Sequence, residues 1–495
     1  MGNYFYDMLT PQEREQLYYL PTVNELLGKM AKYGELEALC DSRTSLTYSQ
    51  LCFNVGKCRS LLDEKCIPYG ARVAVWDKNS IDSIELFLAI VTSGRTAIML
   101  PQSLNDQAFS GITKKFGINT VFCGEEFMPL TKNVDVSVYS VCEKGTSYIS
   151  DNKTVNSSTL AAIFFTGGTT GTPKGAMLTH GALMRGSFNG IFMTGGVMYK
   201  RYYSMLPLSH IFGMVRGTLS SLYTGASVYI CENMQAAFRE LPAVKPTTLV
   251  LVPGLVEILL SVAKVKGIEA LGGKLETIIC GAANVPPRLM KDFAEFGITL
   301  LAGYGLTETA NLVSGNANTA EKPDSVGMLY PETQAKVVDG ELWVKGDSLF
   351  SGYCGDEEAT NACMVAGWFR TGDLVRFDED GFMYITGRIK NLIVLSNGEN
   401  VSPEAIEELF YKEPTVRDCL VSETKVNGKS VLGIEIIPLV PNLDAANDDE
   451  LYELVKQTVD KVNSELPAFM QIRNIKLRKT DFPRTGNLKI ARNAK

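Results

Sequence analysis

No apolar run in this sequence approaches the ~18 to 20 residues needed to span a bilayer, so a membrane-embedded chain is not expected. Nor is there a basic block that could neutralise a run of phosphates. The 48 Lys and Arg are outnumbered by 55 Asp and Glu spread along the chain, for a net charge of -7, which sets nucleic acid aside as a main partner. The 11 cysteines form no CxxC pair and keep no regular spacing. The start, MGNYFYDMLTPQEREQ, has neither the positive opening nor the apolar stretch of a secretory signal. Free thiols in a reducing cytoplasm are the expectation. Tyr6 stands where N-myristoylation wants Ser or Thr. Internal repeats and low-complexity segments are missing as well.

What is present is ordinary globular composition, with 45% hydrophobic and 21% charged residues, in a chain of 495 residues. That is too long for one ordinary core and predicts two or more domains. Leu51, Val55, Cys58 and Leu62 fall at helical spacing, and the run Arg72 to Trp76 then reads as a strand. A second helical stretch, Ile81 to Ile90, precedes a buried strand at Ala97 to Leu100 that ends at Pro101. Thr248 to Val252 and Thr277 to Cys280 continue the strand series, the latter opening onto Gly281, Ala282 and Ala283. This is α/β layering, and residues just past such strand ends are where open α/β sheets hold ligands. The best boundary is the short polar element Gly387-Arg388-Ile389-Lys390. Beyond it the sequence predicts a small α+β unit with helices over Pro403 to Lys412 and Asp449 to Leu466, and strands over Arg417 to Glu423, Val431 to Leu439 and Ile472 to Arg478.

The strongest local signal follows the apolar run Leu160 to Phe165. It is the loop Thr166-Gly167-Gly168-Thr169-Thr170-Gly171-Thr172-Pro173-Lys174-Gly175. Glycines let backbone N–H groups close on an anion, threonine hydroxyls add donors, and Lys174 brings positive charge. A plain flexible turn needs neither the threonines nor the lysine. A Walker A loop would place Ser or Thr after its lysine, whereas Gly175 follows Lys174, so a P-loop ATPase or kinase fits poorly.

Further motifs follow in order: Pro207-Leu208-Ser209-His210, Gly281-Ala282-Ala283, Tyr304-Gly305-Leu306-Thr307-Glu308-Thr309, Trp368 to Asp373, Gly387-Arg388, and Thr485 to Arg492. Together with the loop they resemble the adenylate-forming (AMP-binding) superfamily of acyl-CoA synthetases, luciferases and peptide-synthetase adenylation domains, and are most similar to the acyl-CoA synthetases. Gly167 replaces the usual serine of the family loop, and Leu488 a usual glycine. The resemblance implies a large multi-sheet α/β N-terminal domain (1–388) and a small mobile α+β C-terminal domain (389–495), hinged at Lys390. It also implies the chemistry. ATP and a carboxylic acid would form an acyl-adenylate with loss of pyrophosphate, and the acyl group would then pass to CoA, or alternatively to the phosphopantetheine of a carrier protein.

The same resemblance assigns roles. Thr166, Gly168, Thr169, Thr170 and Lys174 would hold the β- and γ-phosphates, with Glu308 and Thr166 at Mg²⁺. Gly281, Ala282 and Ala283 would frame the adenine and Tyr304 would stack on it, while Thr307 would lie near the α-phosphate. Asp373, assisted by Arg388, would accept the ribose hydroxyls. His210 would gate the substrate carboxylate, and Lys489 would bridge that carboxylate and the α-phosphate. Gly398 would line the pantetheine channel, although Asn397-Gly398 is equally good as a simple hairpin turn. His180, the only other histidine, reads as structural.

Peptide-synthetase domains usually hold an amino acid's ammonium with an aspartate in the element matching Pro207 to Gly213, and none is present. A fatty or aryl acid is therefore expected, with Phe212, Gly213, Gly281, Ala302, Gly303 and Leu312 as pocket candidates. Arg216 offers charge for a second carboxylate, although a lone arginine more commonly serves the surface or the scaffold. A reading from another class is a nucleotide-binding protein that keeps the fold without the catalysis. Lys174, Glu308, Asp373, Arg388 and Lys489 occurring together argue against it.

Overall fold

The fold is that of a computed structural model, which describes residues 4–150, 155–166, 173–231, 233–395, 399–426, 429–440, 442–483, 490 and 492. Gly168, Thr169, Thr170, Gly398 and Lys489 lie outside the described residues.

Two large sheets form the body of the chain. One has six strands in the order Ser137–Ser140, Thr120–Cys123, Arg72–Trp76, Thr96–Met99, Leu160–Thr166 and Lys174–Thr179, all neighbours parallel except the last pair. Side chains alternate across a strand, so one run serves two cores. Val73 and Val75 join the main core, whereas Ala74 and Trp76 turn to a second cluster with Phe109 and Phe116.

The other sheet has nine strands. Its centre, Glu37–Cys40, Ser227–Ile230, Arg201–Ser204, Thr248–Leu251, Thr277–Cys280 and Thr299–Tyr304, is parallel throughout. Antiparallel strands close both edges. The main core is continuous between the sheets, taking in Val73 of one and Leu249 of the other. The helices Ile81–Thr92 and His180–Asn189 are buried on nearly every side. An apolar helix without a solvated face belongs in such an interior.

Helix starts follow local chemistry. Thr47 caps the helix Tyr48–Glu64 in a reciprocal box with Gln50, and the Ser80 side chain accepts from the Ser83 N–H to cap Ile81–Thr92. A third sheet, built on Glu341–Lys345, Trp368–Phe377 and Met383–Arg388, leads to the short helical turn Ile389–Asn391. After that turn come the helices Pro403–Tyr411 and Asp448–Glu465 and a sheet of Val416–Val426, Lys429–Pro438 and Ile472–Leu477. This C-terminal unit has a core of its own around Ile406, Phe410, Ile434 and Val459. The fold is thus α/β, a large multi-sheet N-terminal part with a smaller α+β part after it. Among the described residues, no helix is long and apolar enough to cross a membrane.

Candidate active site

Three strands end at the same place. Leu160–Thr166 stops at Thr166, Thr277–Cys280 opens onto Gly281, and Thr299–Tyr304 delivers Tyr304. These carboxyl ends face one cavity of about 1510 Å³. Thr166, His210, Gly281, Ala282, Ala283, Tyr304, Thr307, Glu308, Asp373 and Arg388 all line it.

Antiparallel pairing sets Thr166 directly opposite Lys174, so the glycine- and threonine-rich loop is closed by a hydroxyl on one strand and an ammonium on the other. Lys174 Nζ lies 4.9 Å from the ring centroid of Tyr353, and the Tyr353 hydroxyl donates to Glu308 at 2.7 Å. Tyr353 therefore connects Lys174 to Glu308. Sequence reading missed it because its partner Glu308 is 45 positions away and only the fold joins them.

Glu308 is 9% exposed, in the short helical turn Thr307–Thr309, and burial raises its carboxyl pKa above the ordinary value. A desolvated carboxylate with one hydroxyl donor gains from a nearby cation. Among the described residues, no group of three or more His, Cys, Asp or Glu could hold a metal by itself. A single hard oxygen ligand is nevertheless of the kind Mg²⁺ uses, since that ion takes one or two carboxylates and completes its shell with substrate phosphate oxygens and water.

Asp373 and Arg388 are register partners on adjacent strands, and the buried Asp373 carboxylate accepts from Arg388 Nε, from Arg388 Nη2 at 3.2 Å and from the Tyr304 hydroxyl at 2.5 Å. Burial, with Asp373 alongside, drives the Tyr304 phenol well up, so it remains a donor. Two carboxylate oxygens offer about four lone-pair positions, which leaves capacity for further hydroxyl donors. The same bonds hold the Tyr304 ring in the cavity wall.

The shelf at Gly281 to Ala283 is shaped by close approach. A Cβ on Gly281 would lie 3.3 Å from the Gly303 carbonyl oxygen and 3.4 Å from Phe212 Cζ, and Ala282 has φ of +67°. His210 accepts the Phe212 backbone N–H on Nδ1 at 3.2 Å, which puts the neutral ring's proton on Nε2.

Of the pocket candidates, Phe212, Gly281, Ala302, Gly303 and Leu312 line the cavity. Gly213 does not. It is packed on Pro207, whose carbonyl oxygen lies 2.3 Å from where a Cβ would stand. Arg216 is on the wall and 2% exposed, so it is not a surface residue. His180 is fully buried, its Nδ1 accepting the Val23 N–H at 3.2 Å. Ile490 and Arg492, which follow Lys489 in sequence, line the cavity from the C-terminal unit, as does Lys390.

Comparison with known proteins agrees with this geometry. Residues 28–354 match the AMP-binding enzyme model, and residues 390–495 match the AMP-binding enzyme C-terminal domain. The indoleacetate–CoA ligase of Aromatoleum aromaticum is 30% identical over 335 residues, 64% of this chain and 65% of that protein. The feruloyl-CoA synthase of an Amycolatopsis species is 28% identical over 396 residues, 76% and 80% of the two chains. In fold, the chain is similar to the anthranilate CoA ligase AuaEII with anthranoyl-AMP, at a TM-score of 0.84, 19% identity and 96% coverage of each chain. It is also similar to the o-succinylbenzoate CoA synthetase of Bacillus subtilis, at a TM-score of 0.79, 22% identity and coverage of 96% and 98%.

Proposed function

The chain belongs to the AMP-binding enzyme family and is an AMP-forming ligase, and from that premise we propose that it converts a carboxylic acid to its CoA thioester through an acyl-adenylate. One observation carries this reading. Thr166, His210, Gly281, Tyr304, Glu308, Asp373 and Arg388, far apart in sequence, line one cavity.

In the first half-reaction a carboxylate oxygen attacks the α-phosphorus, and the bond to the departing pyrophosphate breaks. Thr166, Lys174 and the loop residues Gly168, Thr169 and Thr170 neutralise the β- and γ-phosphates, so charge is stabilised where the leaving group gathers it. Glu308, with Thr166, would hold the Mg²⁺, whose positive charge would offset the negative charge of the phosphates. Tyr304 packs on the adenine over the Gly281–Ala283 backbone, and Asp373 accepts the ribose hydroxyls while Arg388 and the Tyr304 hydroxyl fix its orientation. Thr307 stands by the α-phosphate. His210 presents Nε2–H to the entering carboxylate, and Lys489 supplies the cation between that carboxylate and the α-phosphate.

In the second half-reaction the CoA sulfur attacks the acyl carbonyl and AMP leaves. Gly398 would line the approach of the pantetheine. The two steps need different groups at one site, which a swing of 389–495 about Lys390 against 1–388 provides. The CoA-ligase relatives favour CoA over a carrier protein, and their indoleacetate and feruloyl substrates favour an aryl or related acid over an amino acid.

The test is ATP–pyrophosphate exchange across a panel of acids, followed by mass analysis of products with CoA and with a holo carrier protein. Acid-dependent exchange with an acyl-CoA product is expected. An acylated carrier protein in its place would redirect the second step. Tight ATP binding without exchange for any acid would leave a nucleotide-binding protein.

A further inference from the structure

Arg216 lies on the π-helical segment Phe212–Leu219, which begins two residues after His210. Wide turns of this kind are rare and are frequently found at functional sites. The side chain is 2% exposed and lines the cavity, yet neither Nη1 nor Nη2 has a hydrogen-bond partner among the described residues. A guanidinium cannot shed its proton to escape this cost, as a buried lysine can. An uncompensated buried charge is strongly unfavourable, and a site that accepts it is completed by an anion.

Aromatic side chains share the cavity wall with it. Phe5 stacks on Tyr330 at 4.5 Å and meets Phe192 at 5.5 Å, and all three line the same cavity as Arg216. The Tyr202 ring centroid lies 6.0 Å from Arg216 Cζ. Arg216 Cδ is 3.1 Å from where a Cβ on Gly190 would stand, so the arginine stem is pressed against the helix His180–Asn189 and has little room to swing away. Asn311 adds an unspent buried donor, Nδ2, on the cavity wall.

We propose that Arg216 receives a second carboxylate, so that the acid this enzyme activates is a dicarboxylic acid, held at one end by His210 and at the other by the Nη1 and Nη2 fork of Arg216. The inference rests on the acid-activating reading above and names its substrate class. Planar, paired N–H donors match a carboxylate bidentately, which adds direction to charge. His210 and Arg216 are six positions apart in sequence and both line the cavity, so the two carboxylates would meet its wall at different points. The aromatic wall then covers the chain or ring between them.

The experiment is pyrophosphate exchange by the full chain with a ladder of linear and aryl dicarboxylic acids, each beside its mono-methyl ester and the monocarboxylic acid of equal length. Wild type is expected to favour the diacid by about 100-fold in kcat/KM, the scale for a buried charged hydrogen-bonding group left unpaired by the wrong ligand. Arg216→Met should reduce that ratio to a few-fold, and Arg216→Lys should restore part of it, with Mg-ATP affinity held in both. Equal use of diacid and monoacid by wild type, or an unchanged ratio in Arg216→Met, overturns the inference and leaves acid activation standing. If Arg216→Met does not fold, the wild-type ratio of diacid to half-ester decides alone. Exchange with no acid at all, ATP binding being intact, would overturn acid activation itself.

Discussion

At the scale of single residues, the site depends on buried carboxylates whose oxygens are held by specific donors. Asp373 accepts from Arg388 and from the Tyr304 hydroxyl, so its orientation is fixed before any ribose arrives. Asp373→Asn turns one acceptor oxygen into a donor facing donors. With charged hydrogen bonds worth about 1.5 to 3 kcal/mol, the KM for ATP should rise by about 10- to 100-fold, with the KM for the acid little changed. Steady-state exchange kinetics with each substrate varied in turn would show this split. Glu308 gives a second residue-scale expectation. Burial raises its pKa, so the carboxylate that would hold Mg²⁺ forms only as pH rises through a value above the ordinary one. Mg-ATP binding should therefore weaken as pH falls through that value, and titration calorimetry of Glu308→Gln should show weaker binding that has lost this acid limb.

At the scale of elements, the site depends on backbone approaches that side chains would block. A Cβ on Gly305 would lie 1.5 Å from the Asn311 carbonyl oxygen, an overlap with main chain that no rotamer change relieves. Gly305→Ala should cost about 3 kcal/mol or more, read as a lowered melting temperature together with loss of exchange activity. This turn was legible in the sequence as Tyr304-Gly305-Leu306-Thr307-Glu308-Thr309 because a motif in one short segment carries its own geometry. The strands were legible for a related reason. Arg72–Trp76 and Thr277–Cys280 are buried runs bounded by turns, and the C-terminal helices Pro403–Tyr411 and Asp448–Glu465 fall within a residue of their expected bounds. Tyr353 was not legible, since its meaning is contact with Lys174 and Glu308 through pairing of distant elements. Arg216 was only half legible. Its charge could be read, but its burial without a partner is a property of packing, and so is the part played by Phe5 in the cavity wall.

At the scale of the whole molecule, two dependences separate catalysis from stability. The first concerns the C-terminal unit, which meets the N-terminal body through Lys412 with Asp324 at 3.0 Å and through Arg288 Nη2 donating to the Arg417 carbonyl at 3.2 Å. If this unit delivers Lys489 for adenylation only, Lys489→Ala should slow adenylate formation by about 10²- to 10³-fold and largely spare thioester formation from preformed acyl-adenylate. Equal losses in single-turnover assays of both steps would contradict a moving domain. The second concerns folding. His180 is buried where the helices Val23–Ala31 and His180–Asn189 meet, and burial lowers its pKa from 6.5 to about 4. Between those two values the unfolded chain binds the proton and the folded chain does not, so stability rises with pH. The contribution of His180 is fully present above pH 6.5 and is lost as pH falls towards 4, on the order of 3 kcal/mol across the window. His180→Asn keeps an acceptor for the Val23 N–H and cannot titrate. Denaturant unfolding at a series of pH values should show the variant less sensitive than wild type between pH 6.5 and 4, and parallel curves would exclude His180 as the source of acid lability.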